Sequence, residues 1–398
     1  MKAFFADRIS QIKPSFIREI LKVASNPAMI SFAGGLPNAN FFPVDGLNQA
    51  SATVMAEQGK ASLQYAETEG YRPLREFIAE RHFAQTGQRI ALAQIVITNG
   101  SQQALDLLGK VLINEGDEVV VEDPSYLGAL QAFSMYQPVF KPVPLQADGI
   151  DLEALTETLE TSGSRLLYAV PTFQNPTGLS YSLAKRQALA ELIKARDVLL
   201  IEDNPYAELR FSGEALPPIA TMAPDNTVML GTFSKTVVPA FRLGWMVLPE
   251  WLASKVIVAK QSADLHTNNH AQRVLHTFLT QQSLDAHIAT ICEVYGRQRQ
   301  AMLTAVERYF PANVQVTKPE GGMFLWMTLP EGISSMALFD EAVKDNVCFV
   351  PGHPFYVDAT ETSTLRLSYS CVDEATIDMG MAKLAKALER LQSLAKAS

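Results

Sequence analysis

The sequence predicts an α/β fold: a large domain built on a mostly parallel sheet between helices, joined to a smaller α+β domain. From about residue 94, short β-rich apolar runs alternate with amphipathic helical runs, the pattern of a parallel sheet covered on both faces. Past about residue 280 the texture changes to a long helix, strand-like segments and a closing helix. The chain's 398 residues also exceed the size at which a single core stops growing.

IVIT (95–98) opens the alternation and leads into a helix from Ser101, in which Ala104, Leu105, Leu108, Val111 and Leu112 recur at spacings of three and four. That apolar stripe faces the sheet. EVVVE (118–122), RLLYAV (165–170), VLLIE (198–202) and TVMLG (227–231) supply further strands, with a helix after Ser182 before VLLIE. The smaller domain takes GMFLWMTL (322–329), VCFVP (347–351), TLRLSYS (364–370) and a terminal helix rich in Ala, Lys and Leu. We expect an N-terminal arm and helix over 1–45 that contributes to the small domain and the active site, a large domain over 46–280 and a small domain over 281–398. The boundary is soft, near 275–285, because no linker, repeat or low-complexity tract marks it.

A chain that is 47% hydrophobic and 19% charged, with no biased tract, has the profile of an ordinary globular protein. Its formal charge of −9 leaves no global basic field to attract nucleic acid or anionic membranes. Cys292, Cys348 and Cys371 are odd in number, widely spaced and without a C-x-x-C pair. This argues against a disulfide framework or zinc site and favours a cytoplasmic setting. Asp7, Arg8 and Lys13 interrupt the N-terminus, so no export signal is read, and no apolar run is long enough to span a membrane.

Ligands bind outside the carboxyl ends of parallel strands, and here those ends carry NGSQQ, DPSY, PTFQNPTG, DNPY and TFSK. Gly100, Ser101 and Gln102 form a strand-to-helix turn whose free N–H groups and helix dipole favour an anion such as phosphate; the plainer reading makes Ser101 an N-cap. Asp203 ends an apolar strand, where a carboxylate needs a cation or a donor, or it caps the turn that Pro205 forces. Lys235 stands in GTFSKTVVPAFRLGW (231–245) among Phe233, Val237, Val238, Phe241 and Trp245. Burial there would depress its pKa and make it an amine nucleophile able to form Schiff bases, unless its stem snorkels to solvent. Arg242 alone reads as a surface ion pair. At successive strand ends, an anion site, a buried carboxylate and a buried amine together describe pyridoxal 5′-phosphate: phosphate to the helix N-terminus and Arg242, pyridine nitrogen to Asp203, aldehyde to Lys235.

With AGGLPN, QNPTG, EDNPY, TFSK and RLSYS in this order, the chain resembles the fold-type I, class I/II aminotransferases from SFAGGLPNANFFP (31–43) to TLRLSYS, and within them the 2-aminoadipate and kynurenine aminotransferase group. The resemblance implies a seven-stranded main sheet and a homodimer with shared active sites. It implies that Asn175 and Tyr206 hydrogen-bond the ring hydroxyl oxygen and that Tyr126 stacks on the pyridine ring. Thr232 and Ser234 would join Ser101, Gln102 and Arg242 around the phosphate, while Tyr65 would reach the phosphate of the neighbouring subunit. The family usually has serine where Thr232 stands, and the hydroxyl is kept. Arg366 is the implied clamp for the substrate's α-carboxylate, for which a guanidinium offers a planar bidentate match; without the motif it reads as a surface arginine. Gly35 would bring backbone close to the substrate.

The resemblance thus implies a ping-pong transamination. Lys235 holds the cofactor covalently, an amino acid bound through Arg366 displaces it, and the freed amine moves a proton from Cα to the cofactor carbon while Asp203 keeps the ring nitrogen protonated. A 2-oxo acid leaves, and a second one, such as 2-oxoglutarate, reverses the steps. Donors are expected to be broad, including 2-aminoadipate, aromatic and branched amino acids. Arg18, in SFIREIL (15–21) with Ser15, corresponds to a mobile helix position that can read a distal carboxylate; a helix-surface arginine is the competing account. The rivals are a β-lyase or decarboxylase, which the same cofactor residues would serve, and a non-catalytic effector-sensing aminotransferase-like domain, which the acidity disfavours. His266 and His270 stand four apart with no third ligand evident, so no metal is expected.

Overall fold

The computed structural model of the protein describes residues 4–10, 20, 22–24 and 26–397; Ser15 and Arg18 lie outside the described residues. In chain order the strands are β1 (Ile30–Ser31), β2 (Ile95–Thr98), β3 (Glu118–Asp123), β4 (Val139–Gln146), β5 (Gly149–Ile150), β6 (Leu166–Ala169), β7 (Leu199–Asp203), β8 (Thr227–Thr232), β9 (Gly244–Val247), β10 (Gln315–Val316), β11 (Phe324–Thr328), β12 (Val347–Cys348), β13 (Val350–Pro351) and β14 (Thr364–Ser368). The main sheet runs β2-β9-β8-β7-β6-β3-β4-β5. From β8 to β4 every neighbouring pair is parallel. Only β9, between β2 and β8, and the edge strand β5 run against their neighbours. The expected seven strands are therefore present, and the two-residue β5 extends one edge.

Strands β2, β6, β7 and β8 are buried along their whole length, which explains why they read as continuous apolar runs instead of alternating. Of the strands that escaped the sequence reading, β4 and β9 are the longest. In β4, Pro142 and Pro144 interrupt the pattern; they are tolerated because its outer side over 139–144 has no partner strand among the described residues. In β9, Gly244 opens a short run that merges with the preceding turn. The helix Ser101–Leu112 packs Ala104, Leu105, Leu107 and Leu108 onto Val96, Val121 and Leu230, with Val111 and Leu112 at the margin. On the opposite face, Leu183–Arg196 buries Leu189, Ala190 and Ile193 against Leu167 and Leu200. Ser182 caps it by accepting from the Lys185 N–H at 3.1 Å.

The second sheet, β10-β11-β14-β13, is antiparallel, and its core includes residues of the helices Leu284–Tyr309 and Glu374–Ala397. VCFVP is not one strand. Val347–Cys348 pairs with β1, whereas Val350–Pro351 pairs with β14, and proline is tolerated at that sheet edge because it has no N–H to leave unpaired. Through β1, Phe32 and Ala33 enter this second core, which anchors the AGGLPN segment beside β14. Among the described residues no helix is long and apolar enough to cross a membrane.

Candidate active site

Strands β2, β8, β7, β6 and β3 point the same way, so the segments after their carboxyl ends collect on one edge of the main sheet. The turn after β8 is fixed first by its own backbone. Phe233 N–H donates to Leu243 O at 3.0 Å, Thr232 Oγ1 donates to Leu243 O at 3.3 Å, and Ser234 N–H donates to Thr232 Oγ1 at 3.1 Å. The rings of Phe233 and Trp245 pack with centroids 4.8 Å apart. Lys235 is thereby directed inward, not along the surface. Its Nζ donates to Gly35 O at 2.8 Å and lies 5.9 Å from the centre of the Tyr206 ring. Burial, and after it the positive Arg366, bring its pKa from an ordinary 10.5 to about 8, against the opposing pull of Cys371.

Asp203 ends β7 and is 2% exposed. The sequence reading asks for a cation or a hydrogen-bond donor beside it, or makes it the cap of the Pro205 turn; the structure supplies a donor. Oδ2 accepts from the Tyr168 hydroxyl at 2.9 Å, and Oδ1 is buried with no hydrogen-bond partner among the described residues. Burial raises the carboxyl to about 6. Tyr168 was missed because it sits inside an apolar strand, but a lone tyrosine there needs a partner for its hydroxyl, and that requirement was a usable signal.

The turn after β2 corrects the capping alternative. Gly100, at φ +74, occupies the cap position with no side-chain cap bond, and Ser101 is the first helical residue. The N–H groups of Ser101 and Gln102 therefore have no partner within the helix. A Cβ on Gly100 would lie 2.5 Å from Arg242 Nη2, and one on Gly244 would lie 2.9 Å from the Ser101 nitrogen. Glycine at both positions lets Arg242 and β9 close on the turn. Arg242 is exposed and its Nη1 reaches Pro239 O at 3.4 Å and Ser234 Oγ at 3.5 Å. Gln102 Nε2 donates to Gly128 O at 2.9 Å, which ties the turn to the segment carrying Tyr126. Burial, then Asp203, push the Tyr126 hydroxyl up.

Arg366, in the middle of β14, is 3% exposed, so the surface alternative is not realised. Its Nη1 donates to Asn175 Oδ1 and its Nη2 to Ala33 O, both at 2.8 Å. Among the described residues its Nε has no partner, and its Cζ lies 4.3 Å and 5.2 Å from the ring centres of Phe324 and Phe355. Burial lowers it to about 10. Asn175 Nδ2 in turn donates to the Tyr206 hydroxyl at 3.3 Å, which burial pushes upward. A Cβ on Gly35 would stand 3.0 Å from Phe324 Cζ and 4.0 Å from Arg366 Nη2, so Gly35 brings backbone to the same spot. Behind this group lies buried Glu122, also missed in the sequence. It accepts from Tyr181 Oη at 2.7 Å, Gln174 Nε2 at 3.0 Å and Val170 N–H at 3.2 Å, and so fixes the segment that presents Asn175.

Tyr65 stands apart from this group: it is 78% exposed and meets His266 edge-on at 5.8 Å. His266 Nδ1 lies 2.9 Å from Thr267 O and His270 Nδ1 lies 3.3 Å from Ser62 Oγ. Among the described residues no group of three His, Cys, Asp or Glu side chains could hold a metal.

The donors and acceptors fit pyridoxal phosphate feature by feature. The orphaned Asp203 Oδ1 can take a ring N–H, the Gly100 turn with Arg242 can take a phosphate, and the depressed amine of Lys235 can take an aldehyde.

The model of the aminotransferase class I and II family matches residues 35–384. The aromatic-amino-acid aminotransferase 1 of Thermococcus litoralis is 41% identical over 392 residues, covering 97% of this chain and 94% of the relative. The 2-aminoadipate transaminase of Thermus thermophilus is 41% identical over 394 residues, covering 98% of each. Among solved structures, the α-aminoadipate aminotransferase of Thermus thermophilus, complexed with N-(5′-phosphopyridoxyl)-L-leucine, superposes with a TM-score of 0.91 at 41% identity over 98% of both chains.

Proposed function

Since the chain belongs to the class I and II aminotransferases, and so transaminates amino acids with pyridoxal phosphate, we propose that Lys235, Asp203 and Arg366 divide that chemistry among themselves. When bound, the cofactor supplies an aldehyde that condenses with amines and a ring that accepts electrons from the amino acid's Cα. Lys235 Nζ holds the group covalently and afterwards carries the Cα proton; a pKa of about 8 leaves far more free amine near neutrality than an ordinary lysine has. Asp203 Oδ1 holds the proton on the ring nitrogen. Asn175 and Tyr206 bind the ring oxygen, and Tyr126 covers the ring face. Ser101, Gln102, Thr232, Ser234 and Arg242 hold the phosphate, with Gly100 allowing the close approach. Arg366 takes the substrate α-carboxylate with the donors left after Asn175 and Ala33 are served, and Gly35 lines the substrate's path.

The observation that carries this reading is the buried Asp203 Oδ1, which has no hydrogen-bond partner among the described residues. Such an oxygen is costly unless something pairs with it, and a cationic ring N–H removes the cost. Donor breadth, from 2-aminoadipate to aromatic amino acids, is supported by the names of the relatives, with 2-oxoglutarate as the natural acceptor class. A homodimer sharing its active sites is supported by the exposure of Tyr65, and a cytosolic enzyme by three thiols outside any disulfide.

The test is the visible spectrum of the loaded protein, titrated with single L-amino acids in the absence of any 2-oxo acid. The cofactor band should fall with one equivalent of 2-oxo acid formed per site, and Lys235→Ala should abolish the response. Release of ammonia together with more than one equivalent of 2-oxo acid per site would replace transamination with a lyase reaction.

A further inference from the structure

Behind the Gly100 turn lies an ion pair with a fully buried lysine and a part-buried aspartate that none of the roles above uses. Lys260 and Asp264 sit four residues apart on the helix Glu250–Asp264, and Lys260 is 0% exposed. Local helix physics disfavours the arrangement. A carboxylate on the last residue faces the negative end of the helix dipole, and a lysine preceding its acid by four is the weaker order. The next residue, Leu265, is held at φ +64.

What offsets these costs is a network aimed at the turn after β2. Lys260 Nζ donates among Asp264 Oδ1 at 3.0 Å, Asp264 Oδ2 at 2.9 Å, Thr267 Oγ1 at 2.9 Å and Gln103 Oε1 at 3.1 Å. Asp264 Oδ2 accepts from Asn99 Nδ2 at 2.6 Å and from Gln103 Nε2 at 2.7 Å. Gln103 Oε1 also accepts the Asn99 N–H at 2.8 Å, and Thr267 Oγ1 donates to Ile97 O at 3.2 Å. The pair thus grips Asn99 just before Gly100 and Gln103 just after Gln102. Between those two anchors stand the free N–H groups of Ser101 and Gln102.

We propose that the Lys260–Asp264 pair is a positioning unit for phosphate recognition: by pinning Asn99 and Gln103 it keeps the Ser101 and Gln102 amides aimed at the bound phosphate. The inference rests on the reading of that turn as the phosphate site. It requires that loss of the pair cost affinity for the phosphate and not for the rest of the cofactor. A buried charge left alone is itself destabilising, so both charges are removed together, as Lys260→Met with Asp264→Leu. Asn99→Ala removes one anchor without stranding a charge.

The full-length chain, stripped of cofactor, is titrated separately with pyridoxal 5′-phosphate and with pyridoxal, which lacks the phosphate. The double variant should bind the phosphate ester roughly tenfold more weakly, as expected for misaligned charge-assisted hydrogen bonds, while pyridoxal affinity stays within about twofold. Asn99→Ala should lower the same preference to a smaller extent, and it decides the matter alone if circular dichroism finds the double variant unfolded. An unchanged preference, or equal weakening of both ligands, overturns the proposal. Arg242→Ala separates the two levels. If it lowers the phosphate preference while the pair variants do not, only the positioning role falls; if it too leaves the preference intact, the turn is not the phosphate site.

Discussion

At the scale of single residues, the chemistry depends on where charge meets apolar surroundings. Lys235 is the case in which competing effects have a net sign: burial and Arg366 lower its pKa, Cys371 raises it, and the outcome is about 8. The amine is nucleophilic only when unprotonated, so a lowered pKa moves its reactive range toward neutrality. The cofactor-free protein should therefore capture pyridoxal at a rate that rises with pH through about 8. Arg366→Met, which removes the second cause, should move that midpoint upward; a midpoint at the ordinary 10.5 in the wild type would remove the depression altogether. Lys235 and Asp203 were legible in the sequence because a lone charge inside an apolar run calls for an explanation. For Tyr168 the sequence signals only that its hydroxyl needs a partner; the partner is not legible, because the contact with Asp203 joins side chains on neighbouring strands and the sequence does not state which strands are neighbours.

At the scale of elements, the strands that could be read were those buried on both faces, and the missed ones were those whose partners change the rules. Prolines in β4 are compatible with an edge, and the break in VCFVP follows from two sheets claiming its halves. The carboxyl ends of the strands, once placed, carried nearly every candidate residue to one edge, so the site was more legible than the sheet order. Glu122 on β3 shows what motif reading omits. Its three hydrogen-bond donors carry no charge, and burial raises its pKa from 4.5 to about 7 despite them. Because the folded value lies above the unfolded one, its contribution to stability is full below pH 4.5 and is lost as pH rises to about 7. Glu122→Gln cannot ionise and should remove that slope. Measured by denaturant unfolding of both proteins, the variant should gain on the wild type across this window by on the order of a few kcal/mol. Parallel pH profiles would show that Glu122 does not titrate there.

At the scale of the whole molecule, one candidate residue lies away from the group assembled by its own chain. Tyr65 is exposed beside His266, and Leu63 and Leu265, its neighbours along these two segments, are exposed as well. Large apolar side chains gathered at one surface suit a protein partner. In a two-fold dimer, a residue that misses its own site can complete the site across the axis. The sequence could assign Tyr65 to the phosphate only through resemblance, since nothing in a single chain's pattern encodes a second copy. The proposed sharing is testable by subunit complementation. Tyr65→Ala should have weakened cofactor retention and reduced turnover, and Lys235→Ala should be inactive. Unfolding and reassembling the two together in equal amounts makes half the dimers hybrid, each with one site that has both Tyr65 and Lys235 intact. Activity should recover to about a quarter of the wild-type value, beyond the average of the two parents. If Tyr65 instead serves its own subunit's lysine, every site in the mixture lacks one of the two residues, and the activity stays at half that of Tyr65→Ala alone.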